Sequence, residues 1–352
     1  MVKLVITCDY ELFGSSEGDV LNCLIRPTRD MLDLCEKYSA RLTIFAEVCE
    51  YWAFLKYADR LKQDWGYWPH LEIEKQLKQA MTRGHDVQLH FHPQWLDAEY
   101  RDKRWYINKD YWRLPELAKE KGPKTLADLF IKGKQTLEDM LKPHDPKYRC
   151  FGFRSGGWNI QPEEDILQAM KAAGLKADST VMPGVVKDSD FTKCDFSAVP
   201  DKDYWFIDKR VDQGLKAGGI LELPVSTFRC PAFKFLLGDI KDYLFRSKHP
   251  PGCCGRAADP GGGLVGELFK RLSGRTVKVF DFSVLPVSQM IYGFKRESIR
   301  GRRLFILAGH SKSYTRQADF DRFLKRLSGE HKKSSELEFL RFRDLTDSLF
   351  NL

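Results

Sequence analysis

The sequence predicts an α/β fold with a mostly parallel sheet, either open or closed into a barrel. Short apolar runs rich in β-branched residues alternate along the chain with longer segments in which apolar residues recur at helical spacing. The chain has 352 residues, 43% of them apolar, which is enough to bury a large core. Length alone allows one barrel-sized domain or two smaller ones.

The first half of the chain shows the alternation from its beginning. The run 2–6 has the composition of a strand. Pro27 opens a helix whose apolar residues share one face, and the β-branched run 42–45 follows it. A second helix over 71–81 ends at Gly84 and leads into another strand.

The second half continues the pattern. Leucines recur at helical spacing from residue 125 to residue 141, and a strand is predicted over 148–153. Pro162 lies at the first turn of a helix over 163–173, which stops at Gly174. The remaining predicted elements are strands at 219–224, 277–280, 304–307 and 337–342 and a helix at 318–327.

Charge and composition exclude several classes of protein. The net charge of +8 comes from 57 basic and 49 acidic residues spread along the chain, which is a mild bias and does not indicate a nucleic-acid partner. No segment approaches the roughly 18 to 20 continuous apolar residues of a transmembrane helix. No signal-peptide pattern precedes the first strand, so we expect a cytoplasmic protein. Nine cysteines without CxxC spacing fit that compartment as free thiols.

Two histidines at the end of one predicted strand indicate a metal site. His90 and His92 are two residues apart, so their imidazoles point to the same face. Asp9 and Glu11 have the same spacing at the end of the first predicted strand. Two imidazoles and a carboxylate, with coordination positions left open, are typical of a hydrolytic metal centre.

Other polar residues also fall where predicted strands end. Arg154, Glu222 and His310 each stand at or just after the end of a different strand. In parallel α/β folds, the chemistry collects at the carboxyl ends of the strands. A single histidine or arginine at a strand end is usually structural, but several at one rim favour a functional site.

The segments that carry these residues resemble, in order, the motifs of NodB-type polysaccharide deacetylases, the carbohydrate esterase family four and its relatives. The segments are Thr7-Cys8-Asp9-Tyr10-Glu11, 84–90, Phe151-Gly152-Phe153-Arg154 with the residues to Trp158, and Leu307-Ala308-Gly309-His310. The resemblance implies a distorted (β/α) barrel of about seven strands and a divalent metal, usually zinc. It implies one catalytic domain over 1–352, with insertions at about 95–122 and 246–275.

Three departures mark an atypical branch of this family. The family places its metal histidines four residues apart, and Gln94 stands where the second is expected. A proline usually follows the arginine, whereas Gly156-Gly157-Trp158 follows Arg154 here. The fourth motif, normally an Asp and a Trp, has no clear match, and Glu222 is the candidate partner of His310.

These residues predict a mechanism of amide hydrolysis. Glu11, His90 and His92 would hold the metal, which lowers the pKa of a bound water and polarises the carbonyl. Asp9 would be the general base, held ionised by Arg154, and His310 the general acid that protonates the leaving nitrogen. The expected substrate is an N-acylated sugar, or a lipid-linked or nucleotide-linked precursor, met during the synthesis of surface polysaccharides.

Aromatic residues suggest where a sugar would bind. Trp95, Trp105, Trp112 and Trp158 lie after the histidine strand or after Arg154, and such rings stack on sugar faces. The segment 95–112 is equally consistent with a subdomain that packs its own aromatic residues, and 246–275 with a mobile loop or an ordered lid.

Two further functions remain open at this stage. The same scaffold would suit deformylation or the hydrolysis of another C–N bond. A glycan-binding protein that has lost its metal is also consistent with Gln94.

Overall fold

A computed structural model describes residues 1–12, 18–231, 275–331 and 337–350. Except for its last residue, the predicted insertion 246–275 lies outside the described residues.

In the described part of the chain, a nine-stranded sheet forms the centre of the fold. Eight strands are hydrogen-bonded in the order β10 (Trp205–Ile207), β11 (Ile220–Glu222), β7 (Ala177–Asp178), β6 (Gly152–Ser155), β3 (Asp86–Phe91), β2 (Leu42–Glu47), β1 (Val2–Tyr10) and β14 (Leu304–Leu307). The ninth, β15 (Leu337–Leu340), pairs in parallel with the first half of β1. The pairings are parallel except the one between β10 and β11. The predicted α/β class with a mostly parallel sheet is therefore confirmed.

The remaining described strands form three antiparallel pairs outside this sheet. They are β4 (Glu99–Arg101) with β5 (Arg104–Tyr106), β8 (Val186–Asp188) with β9 (Lys193–Asp195), and β12 (Thr227–Pro231) with β13 (Arg275–Val279).

The predicted barrel is not closed by the described strands, which form a curled sheet instead. The irregular segment 223–226 runs between β7 on one side and β14 on the other. The backbone N–H of Leu223 donates to Asp178 (2.8 Å), and that of Ser226 donates to Ile306 in β14 (2.9 Å). Pro224 has no N–H to offer to a strand ladder. The segment therefore links β7 to β14 by isolated hydrogen bonds and does not continue β11 as a regular strand.

Helices pack against the sheet. They are α1 (Arg26–Lys37), α2 (Val48–Lys56), α3 (Ala58–Trp65), α4 (Pro69–Thr82), α5 (Leu114–Leu141), α6 (Glu164–Ala172), α7 (Val287–Ile299), α8 (Gln317–His331) and α9 (Phe342–Phe350). Both faces of β1, β2 and β3 are buried, as expected for parallel strands covered on each side. The large core contains Leu4, Ile6 and Cys8 of β1, with α1 and α4.

The opposite face of the same strands is concave and polar towards its carboxyl ends. Side chains alternate along β1, so Val5, Thr7 and Asp9 share this face. Val5 belongs to a second apolar cluster with Phe45 and with Phe342 of α9. The concave face is therefore apolar in its lower part and carries charged residues at the carboxyl-terminal rim.

The helices and the cysteines bear on two further expectations from the sequence. Of the helices that the structure describes, none has the length and apolarity to cross a bilayer. Six cysteines are free thiols: Cys8, Cys35, Cys49, Cys150, Cys194 and Cys230. The expectation of free thiols is wrong for Cys23, which is disulfide-bonded.

A buried ion pair attaches α9 to the start of β3. Asp86 is completely buried, and its carboxylate accepts hydrogen bonds from Arg343 Nε (2.9 Å) and from the Arg343 backbone N–H (3.2 Å). Burial raises the pKa of Asp86 above its ordinary value even with the Arg343 guanidinium beside it. Loss of Arg343 would leave this carboxylate charged and uncompensated.

Arg343→Met should therefore lower the free energy of unfolding by about 3 to 5 kcal/mol, the usual cost of removing one partner of a buried pair. Urea denaturation at neutral pH measures it. The matched control is Arg341→Met, because Arg341 pairs with Asp344 and both side chains are about a third exposed; its cost should be about 0 to 1 kcal/mol. Equal losses in the two variants would contradict the assignment.

Candidate metal centre

The carboxyl ends of β1 and β3 bring three metal-ligand side chains together. Glu11 follows β1, His90 lies near the end of β3, and His92 follows it. Glu11 Oε2 is 3.4 Å from His90 Nε2, and the same oxygen lies against His92 Nε2. Each residue offers one ligand atom, and these three atoms lie within 4.8 Å of one another. The convergence expected from the two pairs of spacing two is present in the structure.

The ring of His90 is oriented by a backbone carbonyl. Nδ1 lies 2.7 Å from the carbonyl oxygen of Arg154, which only accepts, so Nδ1 carries the hydrogen. Nε2 then faces Glu11. Burial lowers the pKa of His90, but Glu11 and Asp9 outweigh it and raise the pKa above its ordinary value. A metal ion at Nε2 would compete with that proton, so binding should release protons.

His92 faces the Glu11 carboxylate with its other ring nitrogen. Its Nε2 lies against Glu11 Oε2 in an ion-pair contact. Burial lowers the pKa of His92 in spite of Glu11, which favours the neutral ring that ligates metals. The His92 backbone N–H donates to Glu47 Oε1 (2.8 Å), and this carboxylate also caps the N-terminus of α2. Two buried imidazoles and a carboxylate whose ligand atoms converge within 4.8 Å fit a zinc-type cation.

Glu11 is buried and ionised. Burial alone would raise its pKa, but His92 and Lys312 bring the pKa of Glu11 well below its ordinary value. Lys312 Nζ lies 2.7 Å from Oε1, the oxygen that faces away from the histidines. Lys312 was not identified from the sequence, although it follows His310 by two residues. Its ammonium group leaves Oε2 as the oxygen available to a cation.

Arg154 donates a hydrogen bond to Asp9 from below the carboxyl-terminal rim of the sheet. Arg154 is completely buried, and its Nη1 donates to Asp9 Oδ1 (2.7 Å) and to Thr7 Oγ1 (2.9 Å). Its Nε and Nη2 donate to the carbonyl oxygen and the hydroxyl of Ser179 (2.8 and 2.9 Å). The predicted pairing of Arg154 with Asp9 is thus present as a charge-assisted hydrogen bond.

His310 lies between two carboxylates. Its Nδ1 is 3.1 Å from Asp281 Oδ2, and its Nε2 is 3.5 Å from Asp9 Oδ2. Burial lowers the pKa of His310, but Asp281 and Asp9 outweigh it and raise the pKa above its ordinary value. The imidazolium form is therefore favoured, as a general acid requires.

The partner of His310 is Asp281, in place of the predicted Glu222. Glu222 Oε1 accepts from the backbone N–H of Val181 (3.3 Å). Burial and the neighbouring Asp178 raise the pKa of Glu222 well above its ordinary value, which favours its neutral form. The missed signal is the position of Asp281, which directly follows the predicted strand 277–280.

Asp9, Glu11 and His310 form a second compact group that could hold a metal ion. Arg154 already occupies Asp9 Oδ1, and Asp281 engages His310. A guanidinium within hydrogen-bond distance of Asp9 disfavours a cation at this carboxylate. The group of Glu11, His90 and His92 is therefore the better metal site.

The four predicted sugar-binding tryptophans separate into two kinds. Trp95 is 2% and Trp105 8% exposed, and their rings pack on each other (5.3 Å between centroids) and on Phe54. They form the core of the insertion 95–122, the second of the two interpretations of that segment. Trp112 packs against Phe191 (4.5 Å). Trp158 is as buried as Trp105 (8% exposed), and it differs in its surroundings: its ring lies in the site, 6.0 Å from that of His310.

Trp158 adopts a backbone conformation that side chains disfavour. Its φ is 63°, after Gly157 at 61°. Such left-handed residues cost about 1 to 3 kcal/mol and cluster at functional sites. Gly156 is required by close contact, since a Cβ there would lie 2.3 Å from the Phe91 carbonyl oxygen and 2.7 Å from His92 Nδ1. The two glycines therefore allow this loop to pass close to His92 and place Trp158 over Arg154.

Neither of two surface cavities in the described part of the chain contains the metal centre. Two surface cavities of about 680 and 750 Å³ lie along α2, α4 and α5, and no metal-centre residue lines either of them. Their walls include exposed lysines and show no convergent catalytic groups. The chemistry of the rim residues identifies the site.

No protein-family model matches the chain, and no curated protein is significantly similar to it. Among solved structures it is similar to one described as a polysaccharide deacetylase from Mycobacterium smegmatis (12% identity, 99% of this chain, 90% of that chain, TM-score 0.49). It is also similar to Puue allantoinase (12% identity, 98% of this chain, 88% of that chain, TM-score 0.46). A third structure is described as a polysaccharide deacetylase from Pseudomonas aeruginosa PAO1 (11% identity, 98% of this chain, 89% of that chain, TM-score 0.45).

These structures include polysaccharide deacetylases, the family that the sequence motifs resemble. At such identities and scores, the likeness carries no argument about chemistry.

Asp281→Asn should lower the pKa of His310, because the substitution removes the carboxylate that raises it. NMR titration of ¹⁵N-histidine-labelled protein measures it, with His310→Gln used to assign the resonance. Asp212→Asn should leave the titration unchanged, because Asp212 pairs with Arg210 and not with a histidine. An unchanged His310 pKa in Asp281→Asn would show that Asp281 does not control this ring.

Proposed function

We propose that the protein is a metal-dependent hydrolase that removes an N-acyl group, acetyl in the first instance, from a sugar or saccharide precursor. One observation carries the proposal: at one rim, three convergent metal ligands lie beside an arginine-held carboxylate and a carboxylate-held histidine. Each of these groups has a role in metal-assisted amide hydrolysis. Zinc is the proposed ion, because two imidazoles and a carboxylate with open positions are zinc ligands.

Glu11, His90 and His92 would hold the cation, and Asp9 would be the general base. A divalent cation bound there supplies a Lewis acid for the amide carbonyl and lowers the pKa of a water molecule. Asp9 accepts the proton of the attacking water at Oδ2, since Oδ1 is occupied by Arg154. The guanidinium donates a charge-assisted hydrogen bond to Asp9 and fixes its orientation.

His310 would be the general acid. Its Nε2 faces the reaction space and Asp9, while Nδ1 is held by Asp281. An amine is too basic to leave an amide unassisted, so His310 donates its proton to the nitrogen as the C–N bond breaks. Because the protonated ring is the active form, a raised pKa extends activity to higher pH. Asp281→Asn should therefore move the alkaline limb of the kcat/KM profile to lower pH.

Trp158 supports a carbohydrate as the substrate. Its ring stands beside His310, where the part of the substrate next to the amide would lie. Aromatic rings stack on the apolar faces of sugars. We propose a short saccharide, lipid-linked or nucleotide-linked, used in making surface polysaccharides in the cytoplasm. A panel of N-acetyl and N-formyl sugars, with release of acetate or formate measured, would identify the acyl group.

The tag-free protein should bind about one Zn²⁺ per chain, because the three ligands form a single site. His90→Ala should abolish binding, as measured by elemental analysis after dialysis against Zn²⁺. Asp9→Asn should keep the metal and lose about 10² to 10⁴-fold in turnover, because a general base is not needed for coordination. Loss of the metal in Asp9→Asn would make Asp9 a ligand, and no metal in the wild type would overturn the proposal.

Trp158→Asn should raise the KM for the sugar about two- to tenfold with a smaller effect on kcat, since stacking equal in ground and transition states is uniform binding. Asparagine tolerates the left-handed backbone of this position. Trp105→Phe is the control: it alters the buried aromatic cluster, so thermal stability should fall while KM stays unchanged. A KM that responds to Trp105 and not to Trp158 would reverse the two assignments.

A further inference from the structure

A buried polar atom beside the metal centre lacks a partner. Gln94 is completely buried, and its Oε1 makes no hydrogen bond. The other end of the same amide contacts a proposed metal ligand: Gln94 Nε2 is 3.1 Å from His92 Nδ1. The opposite ring nitrogen, His92 Nε2, lies against Glu11 Oε2.

The side-chain amide of Gln94 can be turned by 180° without changing its shape. The amide oxygen and nitrogen are nearly equal in size, and their placement follows from the hydrogen bonds they make. With Gln94 Nε2 towards His92, the amide donates to His92 Nδ1, so the ring hydrogen lies on His92 Nε2, at the metal position. With Gln94 Oε1 towards His92, the amide accepts from His92 Nδ1–H. The second orientation gives Gln94 Oε1 a partner and leaves a lone pair on His92 Nε2.

We propose that Gln94 is a positioning residue: through Oε1 it accepts a hydrogen bond from His92 Nδ1–H and so presents His92 Nε2 to the metal ion. The inference rests on the metal centre of the proposed function. It gives the unpartnered Gln94 Oε1 a hydrogen-bond donor and leaves the lone pair of His92 Nε2 for the ion.

The neighbouring ligand follows the same rule. His90 Nδ1 donates to the carbonyl oxygen of Arg154, which is also a neutral amide oxygen. Metal-bound histidines commonly donate their other ring N–H to such a group, which fixes the tautomer and the ring orientation. Gln94 would therefore do for His92 what the Arg154 carbonyl does for His90.

The backbone of Gln94 is well placed for this role. Gln94 lies in the short helical turn Pro93–Trp95 directly after His92, and its carbonyl oxygen accepts from the backbone N–H of Asn108 (3.1 Å). This bond ties the turn to the insertion 95–122. Gln94 stands where the resembling family has its second metal histidine, so this chain would have converted a ligand position into a support for His92.

The test compares Zn²⁺ affinity, by competition with a chromophoric chelator, in the wild type, Gln94→Leu and Gln94→Glu. Leucine cannot accept a hydrogen bond, so the affinity should fall about 10- to 100-fold. Glutamate accepts more strongly, so Gln94→Glu should match or exceed the wild type. The visible spectrum of the Co²⁺ form should change in Gln94→Leu and be restored in Gln94→Glu. Gln76→Leu, a buried glutamine of α4 outside the site, is the matched control and should bind as the wild type.

The outcomes separate this inference from the proposed function. A wild type that binds no Zn²⁺ overturns the metal centre and this inference with it. A wild type that binds, with Gln94→Leu binding equally well or Gln94→Glu failing to rescue, overturns the inference alone. If Gln94→Leu does not fold, ¹⁵N NMR of the Zn²⁺-loaded wild type decides: a proton on His92 Nδ1 supports the inference, and an unprotonated Nδ1 overturns it.

Discussion

The site depends on one buried arginine. Arg154 is completely buried, and removing the partner of such a charge typically costs about 3 to 5 kcal/mol. Its guanidinium is satisfied by Asp9, Thr7 and Ser179, and its carbonyl oxygen orients His90. One residue thus holds the proposed base with its side chain and a proposed metal ligand with its backbone. The base and the metal are therefore positioned relative to each other by a single rigid group in β6.

The curled sheet makes this arrangement possible. Alternation along parallel strands places Thr7, Asp9 and Glu11 on the same concave face as Gln88, His90 and His92, and in-register pairing through β2 aligns their ends. Burying so many charged groups is tolerated because nearly all have partners. Lys312 neutralises Glu11, Asp281 pairs with His310, and Arg343 pairs with Asp86 at the opposite end.

Residue spacing predicted much of the site, because short periodicities fix which side chains share a face. The pairing of Glu11 with His90 and His92, and of Arg154 with Asp9, could be read from strand ends. Asp281 also follows a predicted strand, but its pairing with His310 depends on the long-range approach of the end of β13 to β14. The sequence left two interpretations of Trp95 and Trp105 open for a similar reason: an aromatic-rich segment has the same composition whether its rings face a ligand or one another. The predicted barrel does not close at Pro224, which has no N–H for a strand ladder. Tertiary context decides whether a strand continues past such a residue.

The central claim is that Glu11, His90 and His92 form one cation site. Anomalous diffraction at the zinc edge, from crystals of the tag-free protein grown with Zn²⁺, tests it most directly. We expect one strong peak, from an ion bonded to Glu11 Oε2 and to Nε2 of both histidines, with Lys312 still on Glu11 Oε1. A peak between Asp9 and His310, or no peak at this rim, would contradict it.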